Sequence, residues 1–174
     1  AVSHMERVAA VWVEEHGRPC SEADVEAMFE RFVPLQLEVL ADHAQLIPKV
    51  PLAQASFRRR GLAIGTTTGY NRQMMDVLVP LAKRQGYEPD HVVCASEVPA
   101  GRPAPWMALR NAEHLGIYPL EACVKIGDTP SDIAEGLNAG MWSVGVVMSS
   151  NELGMSPDEI RRADSNELER RKEW

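Results

Sequence analysis

The sequence predicts an α/β fold, a parallel sheet with helices on both faces, preceded by a helical segment. Three observations carry that expectation. From Pro48 onward short apolar runs alternate with helical patterns, as repeated βαβ units require. Gly86, Gly116 and Gly140 sit just past three of those helical patterns, where left-handed C-terminal caps are expected. The apolar run through Val124-Lys125-Ile126 then enters Gly127-Asp128-Thr129-Pro130-Ser131-Asp132, a strand feeding a turn and a helix, with two carboxylates at the edge where open α/β sheets hold ligands.

Taken in order, Met5 to His16 mixes Val, Ala and Trp with charges and reads as a helix, broken by Gly17-Arg18-Pro19. Ser21 followed by Glu22 and Asp24 is a good N-cap with an acidic first turn. Val25, Met28, Phe29, Phe32, Leu35 and Leu37 continue at helical spacing, with Pro34 as a kink, and the two helices read as a hairpin. Strands are expected at Leu62–Gly65, His91–Cys94, Ala122–Ile126 and Trp142–Val147. Helices are expected from about Arg72 to Gln85, Pro103 to Leu115 and Ser131 to Asn138. The charged tail from Pro157 to Trp174 reads as helical. The division this suggests is a partial helical cap over 1–47 and a core over 48–174.

At 174 residues the chain suits one full domain with a small accessory element. A formal charge of -7 and a pI near 5.3, with no basic stripe interleaved with aromatics, argue against nucleic acid or an anionic membrane as partner. No apolar run reaches the length of a membrane span, so a soluble, cytoplasmic protein is expected. Cys20, Cys94 and Cys123 are odd in number and far apart, and read as small buried hydrophobes rather than a disulfide framework or zinc site. Whether Trp12 and Phe29 are buried within one chain or against a second copy in a homodimer stays open.

The candidate site gathers at the carboxyl ends of the strands. Asp128 and Asp132 are hard oxygen donors four residues apart, a pattern that suits Mg²⁺; the alternative is an N-cap with a second acidic residue favouring the helix dipole. Thr66-Thr67-Thr68-Gly69-Tyr70 offers a hydroxyl and successive backbone N–H groups for a phosphate oxygen, or else forms a Thr-rich turn capped by Thr68 or Asn71. Arg102, just before Pro103, is either a solvated surface arginine or a planar fork of donors for phosphate charge.

Gly65-Thr66-Thr67-Thr68-Gly69-Tyr70 through Met74-Met75-Asp76, Val98-Pro99-Ala100-Gly101-Arg102-Pro103 through Trp106, and Lys125-Ile126-Gly127-Asp128-Thr129 through Ala139-Gly140-Met141-Trp142 closely resemble phosphonoacetaldehyde hydrolase, of the haloacid dehalogenase superfamily. The resemblance runs from about Val8 to the end, through Phe32-Val33-Pro34-Leu35-Gln36 and Asn151-Glu152-Leu153-Gly154. It implies a Rossmann-like core and cleavage of the carbon–phosphorus bond of a small phosphonate, giving acetaldehyde and phosphate, with Mg²⁺ as cofactor. A cap-domain lysine condenses with the aldehyde, and the imine accepts the electrons when the bond breaks. An aspartate at the end of the first strand attacks phosphorus, and water hydrolyses the aspartyl phosphate. On this resemblance Thr68 and the backbone around Gly69 bind phosphoryl oxygens, Arg102 offsets their charge and Tyr70 lines the substrate side. Asp128 ligates Mg²⁺, and Asp132 orients metal waters or the loop. A phosphatase or phosphomutase of the same superfamily, or a non-catalytic phosphate-binding relative, would share these residues without needing the lysine.

The family's first motif, an apolar strand ending in Asp-x-Ala-Gly-Thr, is not found in these residues, and none of Lys49, Lys83, Lys125 and Lys172 matches the Schiff-base lysine. The chain begins Ala1-Val2-Ser3-His4-Met5, and a truncated enzyme, inactive by itself, is the expectation. In the superfamily the absent strand lies between those ending near Gly65 and Ile126. The sheet is therefore expected to carry two facing, unpaired strand edges.

Overall fold

The computed structural model describes residues 2–146, 159 and 162–164. The expected end of the last strand at Val147, the Asn151-Glu152-Leu153-Gly154 segment and most of the tail expected to be helical lie outside the described residues. Two compact units emerge, one comprising 1–48 and 73–86, the other 49–72 and 87–174. No helix among the described residues is long and apolar enough to cross a membrane.

In the first unit, α1 (Val2–His16) ends at Gly17, whose φ of 67° is the left-handed value of a helix stop. α2 (Glu22–Leu40) opens on a capping box. The Ser21 side chain accepts from the Asp24 backbone N–H, and the Asp24 carboxylate accepts from the Ser21 backbone in return. α2 runs through Pro34. Most of α4 (Arg72–Arg84) belongs to this unit, with Met74 and Met75 buried.

The second unit starts with α3 (Val50–Arg59), which the sequence reading did not anticipate. Pro48 and Pro51 look like breakers, yet Pro51 lies in the first turn, where its missing N–H costs nothing and its fixed φ suits the helix. Lys49 precedes it at φ 72°, turning the chain into the helix. From α3, Gln54 exchanges two hydrogen bonds with the Glu88 backbone, and Arg58 pairs with Asp90 at 2.5 Å.

β1 (Gly65–Thr68) begins three residues later than the strand expected at Leu62. The reason is local: Leu62 N–H bonds back to the Phe57 carbonyl, and Ile64 N–H to the Asp90 carboxylate, so the ladder with β2 (His91–Cys94) starts only at Gly65 opposite His91. α5 (Trp106–His114) packs across β1 and β2. It starts three residues beyond Pro103 because Ala104 N–H closes a turn on the Gly101 carbonyl, and the first helical bond runs from Leu109 to Pro105. β3 (Val124–Gly127), α6 (Pro130–Asn138) and β4 (Trp142–Gly145) belong to the same unit, with α6 against both strands. Gly86, Gly116 and Gly140 have φ of 93°, 66° and 75°. A small core joins Ala108 and Ala112 of α5 to Ala139 and Met141, with Leu109, Leu120 and Cys123 around it. Cys94 is fully buried, Cys20 and Cys123 partly so, and all three are free thiols.

Both strand pairs are parallel, as a βαβ unit demands, but among the described residues they form two separate two-stranded ladders, β1–β2 and β3–β4. The Rossmann-type architecture is present with its sheet divided between β1 and β3. What bridges the division is a cluster of side chains.

Candidate functional site

Two glycines let α6 settle against β3. A Cβ on Gly136 would collide with Ser143 Oγ and come within 2.6 Å of Lys125 Cβ, and a Cβ on Gly127 would collide with the Cβ of Asp132. Thr129 caps α6 by accepting from the Asp132 N–H at 3.2 Å, with Pro130 in the first turn. The cap belongs to Thr129, and Asp132 stands at its third helical position. Asp132 and Glu135, three residues apart, share one helical face, turned toward Lys125.

Lys125 Nζ lies 2.7 Å from Asp132 Oδ1, 3.0 Å from Glu135 Oε2 and 3.2 Å from Thr67 Oγ1 of β1. Arg102 reaches the same group from the loop before α5. It donates to the Thr67 carbonyl at 2.7 Å and ion-pairs with Asp132 at 2.9 Å and with Glu135 at 3.3 Å. Thr67 Oγ1 donates to Glu135 Oε2 at 3.0 Å. Two cations therefore balance two carboxylates across the open edges of β1 and β3. Burial pushes the Asp132 carboxyl up, but the hydrogen bonds from Lys125 and Thr129 and the charges of Arg102 and Lys125 outweigh it, holding the group below the ordinary carboxylate value.

Of the expected site residues, the structure joins Arg102 directly to Asp132. Thr68, Gly69 and Tyr70 form a turn of their own at the end of β1, where Thr68 Oγ1 accepts from the Tyr70 N–H at 3.1 Å. No direct bond links these three to Arg102 or Asp132 among the described residues; Thr67 takes that place. A hydroxyl that accepts can still donate, and the space beside Gly69 is open to any approaching group. Asp128 is half-buried in the turn directly after β3.

Thr67, Lys125 and Glu135 were missed in the sequence. A lysine between Val124 and Ile126 in a strand, and a glutamate three residues after Asp132 on a helix, were the available signals, because a charge on a buried face needs a partner there.

The donor set can be tested against Mg²⁺. Both oxygens of Asp132 are engaged, Oδ1 by Lys125 and Oδ2 by Thr129. Asp132 thus suits an outer position, and Asp128 is the other carboxylate of the segment between β3 and α6. The described residues contain no group of three or more His, Cys, Asp or Glu able to hold a metal. Mg²⁺ asks for one or two carboxylates, with waters and substrate oxygens.

The chain is 51% identical over 172 residues to a phosphonoacetaldehyde hydrolase-like protein of Syntrophobacter fumaroxidans, covering 98% of this chain and 62% of that protein. It is 46% identical over 168 residues to phosphonoacetaldehyde hydrolase of Bacillus cereus, covering 97% of this chain and 64% of the relative. The chain thus spans less than two thirds of the length of these curated relatives. Among solved structures, a phosphonoacetaldehyde hydrolase like protein from Oleispira antarctica superposes with a TM-score of 0.86 at 36% identity, over 96% of this chain and 60% of that one. Residues 2–140 match the family model of haloacid dehalogenase-like hydrolases, and the chain belongs to that family.

Proposed function

We propose that the whole protein is a phosphonoacetaldehyde hydrolase that cleaves the carbon–phosphorus bond to give acetaldehyde and phosphate. The observation that carries this reading is the Arg102–Asp132 ion pair, with Asp132 in the first turn of α6 after β3, in a chain close to half identical to relatives bearing that activity in their names. Residues 1–47 would form part of a cap and 48–174 the core.

In this reading the Thr68 hydroxyl and the backbone N–H groups around Gly69 hold phosphoryl oxygens, Arg102 offsets their charge and Tyr70 lines the substrate side. Asp128 would hold Mg²⁺, with Asp132 orienting its surroundings. The ion's contribution, when bound, is to neutralise charge on the phosphoryl oxygens. Neither the attacking aspartate nor the imine-forming lysine is assigned to any of these 174 residues. Lys125, the lysine that does reach the cluster, lies between two carboxylates and serves the cluster itself.

The test is release of phosphate and acetaldehyde from phosphonoacetaldehyde. The 174-residue chain, at verified mass, is expected to show no turnover. The same chain joined to the part of the Bacillus cereus enzyme outside the match is expected to turn over and to be trapped covalently by borohydride with the aldehyde. Turnover by the unaided chain would overturn the assignment of the reacting groups. Hydrolysis of phosphate monoesters by the joined chain, with neither carbon–phosphorus cleavage nor trapping, would instead favour a phosphatase of the same superfamily.

A further inference from the structure

The turn Thr68-Gly69-Tyr70 leaves β1 and leads into α4, and it carries the Thr68 hydroxyl and the N–H groups around Gly69. Its entry is fixed by the ladder, in which Thr68 stands opposite Cys94, the last residue of β2. Its exit is fixed on the same strand. Arg72, the first residue of α4, donates through Nη2 to the Val92 carbonyl of β2 at 3.2 Å and to both oxygens of Glu97 at 2.7 Å. Glu97 closes the single helical turn Ala95–Glu97 after β2, and its Oε2 also accepts from the Cys94 N–H at 2.7 Å.

One carboxylate thus ties the residue that follows the turn to the residue that faces its start. The Glu97 backbone is held separately, because Arg110 of α5 donates to its carbonyl. A change to the carboxylate therefore leaves that part of the chain anchored. The Arg72 hydrogen bond first, and the Cys94 N–H second, hold the Glu97 carboxyl below its ordinary value, so the group is charged at neutral pH. As a source of stability the pair is poor: its side chains are 43% and 33% exposed, and water screens such charges. As a strut it is well placed. β2 lies on the edge of β1 away from the division in the sheet, so the link does not depend on what fills that division.

We propose that Arg72 and Glu97 are positioning residues: their ion pair pins the exit of the Thr68-Gly69-Tyr70 turn to the end of β2 and so fixes the hydroxyl and N–H groups that would take phosphoryl oxygens. The proposal rests on the phosphoryl-site reading above. Donors already in place bind an anion without first losing the freedom of a loose turn, so slackening the exit weakens binding although Glu97 itself touches no anion.

The experiment uses the 174-residue chain and two readouts. One is hydrogen exchange at the Tyr70 amide, which donates to Thr68 Oγ1. The other is calorimetric binding of inorganic phosphate with Mg²⁺ present. In Glu97→Gln, which keeps the shape and removes the charge, the Tyr70 amide is expected to exchange about tenfold faster. Phosphate is expected to bind about tenfold more weakly. The sign is diagnostic, because removing a negative charge near the turn would by itself strengthen the attraction for an anion. Arg72→Lys, which keeps the cation but not the planar fork, is expected to show a smaller loss in both, and it decides the matter by the same readouts if Glu97→Gln does not fold. A pair that served stability alone would lower the urea midpoint and leave the phosphate affinity of the folded chain equal or higher. That result overturns the proposal, and so does an unchanged Tyr70 amide. If the unsubstituted chain binds no phosphate but the Tyr70 amide is still freed by the substitution, the positioning stands and the phosphoryl-site reading falls.

Discussion

A Cβ placed on Gly127 would lie 2.5 Å from the carboxyl carbon of Asp132 and collide with its Cβ. β3 and the first turn of α6 are thus in contact at a point where only hydrogen fits. Asp132 owes its place beside Lys125 and Arg102 to that absence of a side chain.

Gly127→Ala should force α6 away from β3 and break the 2.7 Å bond between Lys125 and Asp132. Overpacking of this kind costs about 1–3 kcal/mol. Urea unfolding followed by circular dichroism should show a lowered midpoint with the slope unchanged; a midpoint equal to that of the parent would mean that the close approach carries no strain.

Asp132 also predicts a pH dependence. Its carboxyl is held below the ordinary value, so the folded state binds its proton less readily than the unfolded chain. The stability it contributes is complete above about pH 3.9, the ordinary aspartate value, and is lost as pH falls through the lower folded-state value. Parent and Asp132→Asn compared by urea unfolding should differ most near neutral pH and converge in strong acid. A difference that grows on acidification would contradict the assigned direction.

Asp90 ties the approach to β1. Its carboxylate accepts from Arg58 at 2.5 Å and from the Ile64 N–H at 2.7 Å, and its own N–H donates to the Ile64 carbonyl. The Arg58 hydrogen bond first, and the Ile64 N–H second, hold the carboxyl below its ordinary value. Because about a third of each charged side chain is exposed, Asp90→Ala should cost only about 1 kcal/mol. The Ile64 and Gly65 amides should exchange with deuterium faster than in the parent, and unaltered protection there would remove Asp90 from this role.

Asn111 offers a buried counterpart. Its side chain donates to the Thr66 carbonyl at 3.0 Å and meets His91 Nδ1 at 2.9 Å, and Gly65 leaves it room: a Cβ there would approach its carboxamide carbon to 2.8 Å. Asn111→Leu keeps the bulk but leaves buried polar groups unpaired, at a cost of about 1–3 kcal/mol. The expected result is a melting temperature lower by several degrees; a neutral outcome would show that water replaces both bonds.

Much of the fold was legible in the sequence because it rests on local chemistry. Ser21 and Asp24 form their capping box within one turn, Gly86, Gly116 and Gly140 stop helices by backbone conformation alone, and Pro130 opens α6. The start of β1 was misjudged because the bonds that hold Leu62 to Ile64 out of the ladder come from Phe57 and from Asp90, which is 26 residues away from Ile64. α3 was not read from the sequence, although Pro51 stands in its first turn, where proline suits a helix.

The sequence by itself determined the α/β class, the family and the residues Thr68, Gly69, Tyr70, Arg102, Asp128 and Asp132 as candidates, since each stands in a motif read along the chain. Only the tertiary structure decided that Arg102 bonds to Thr67 and Asp132, and that Lys125 and Glu135 complete the cluster between the two strand pairs. Capping and helix termination act over a few residues and leave their marks in order. Pairing of a buried charge depends on which distant side chain the packing of α6 against β3 brings within reach, and spacing along the chain does not encode that distance.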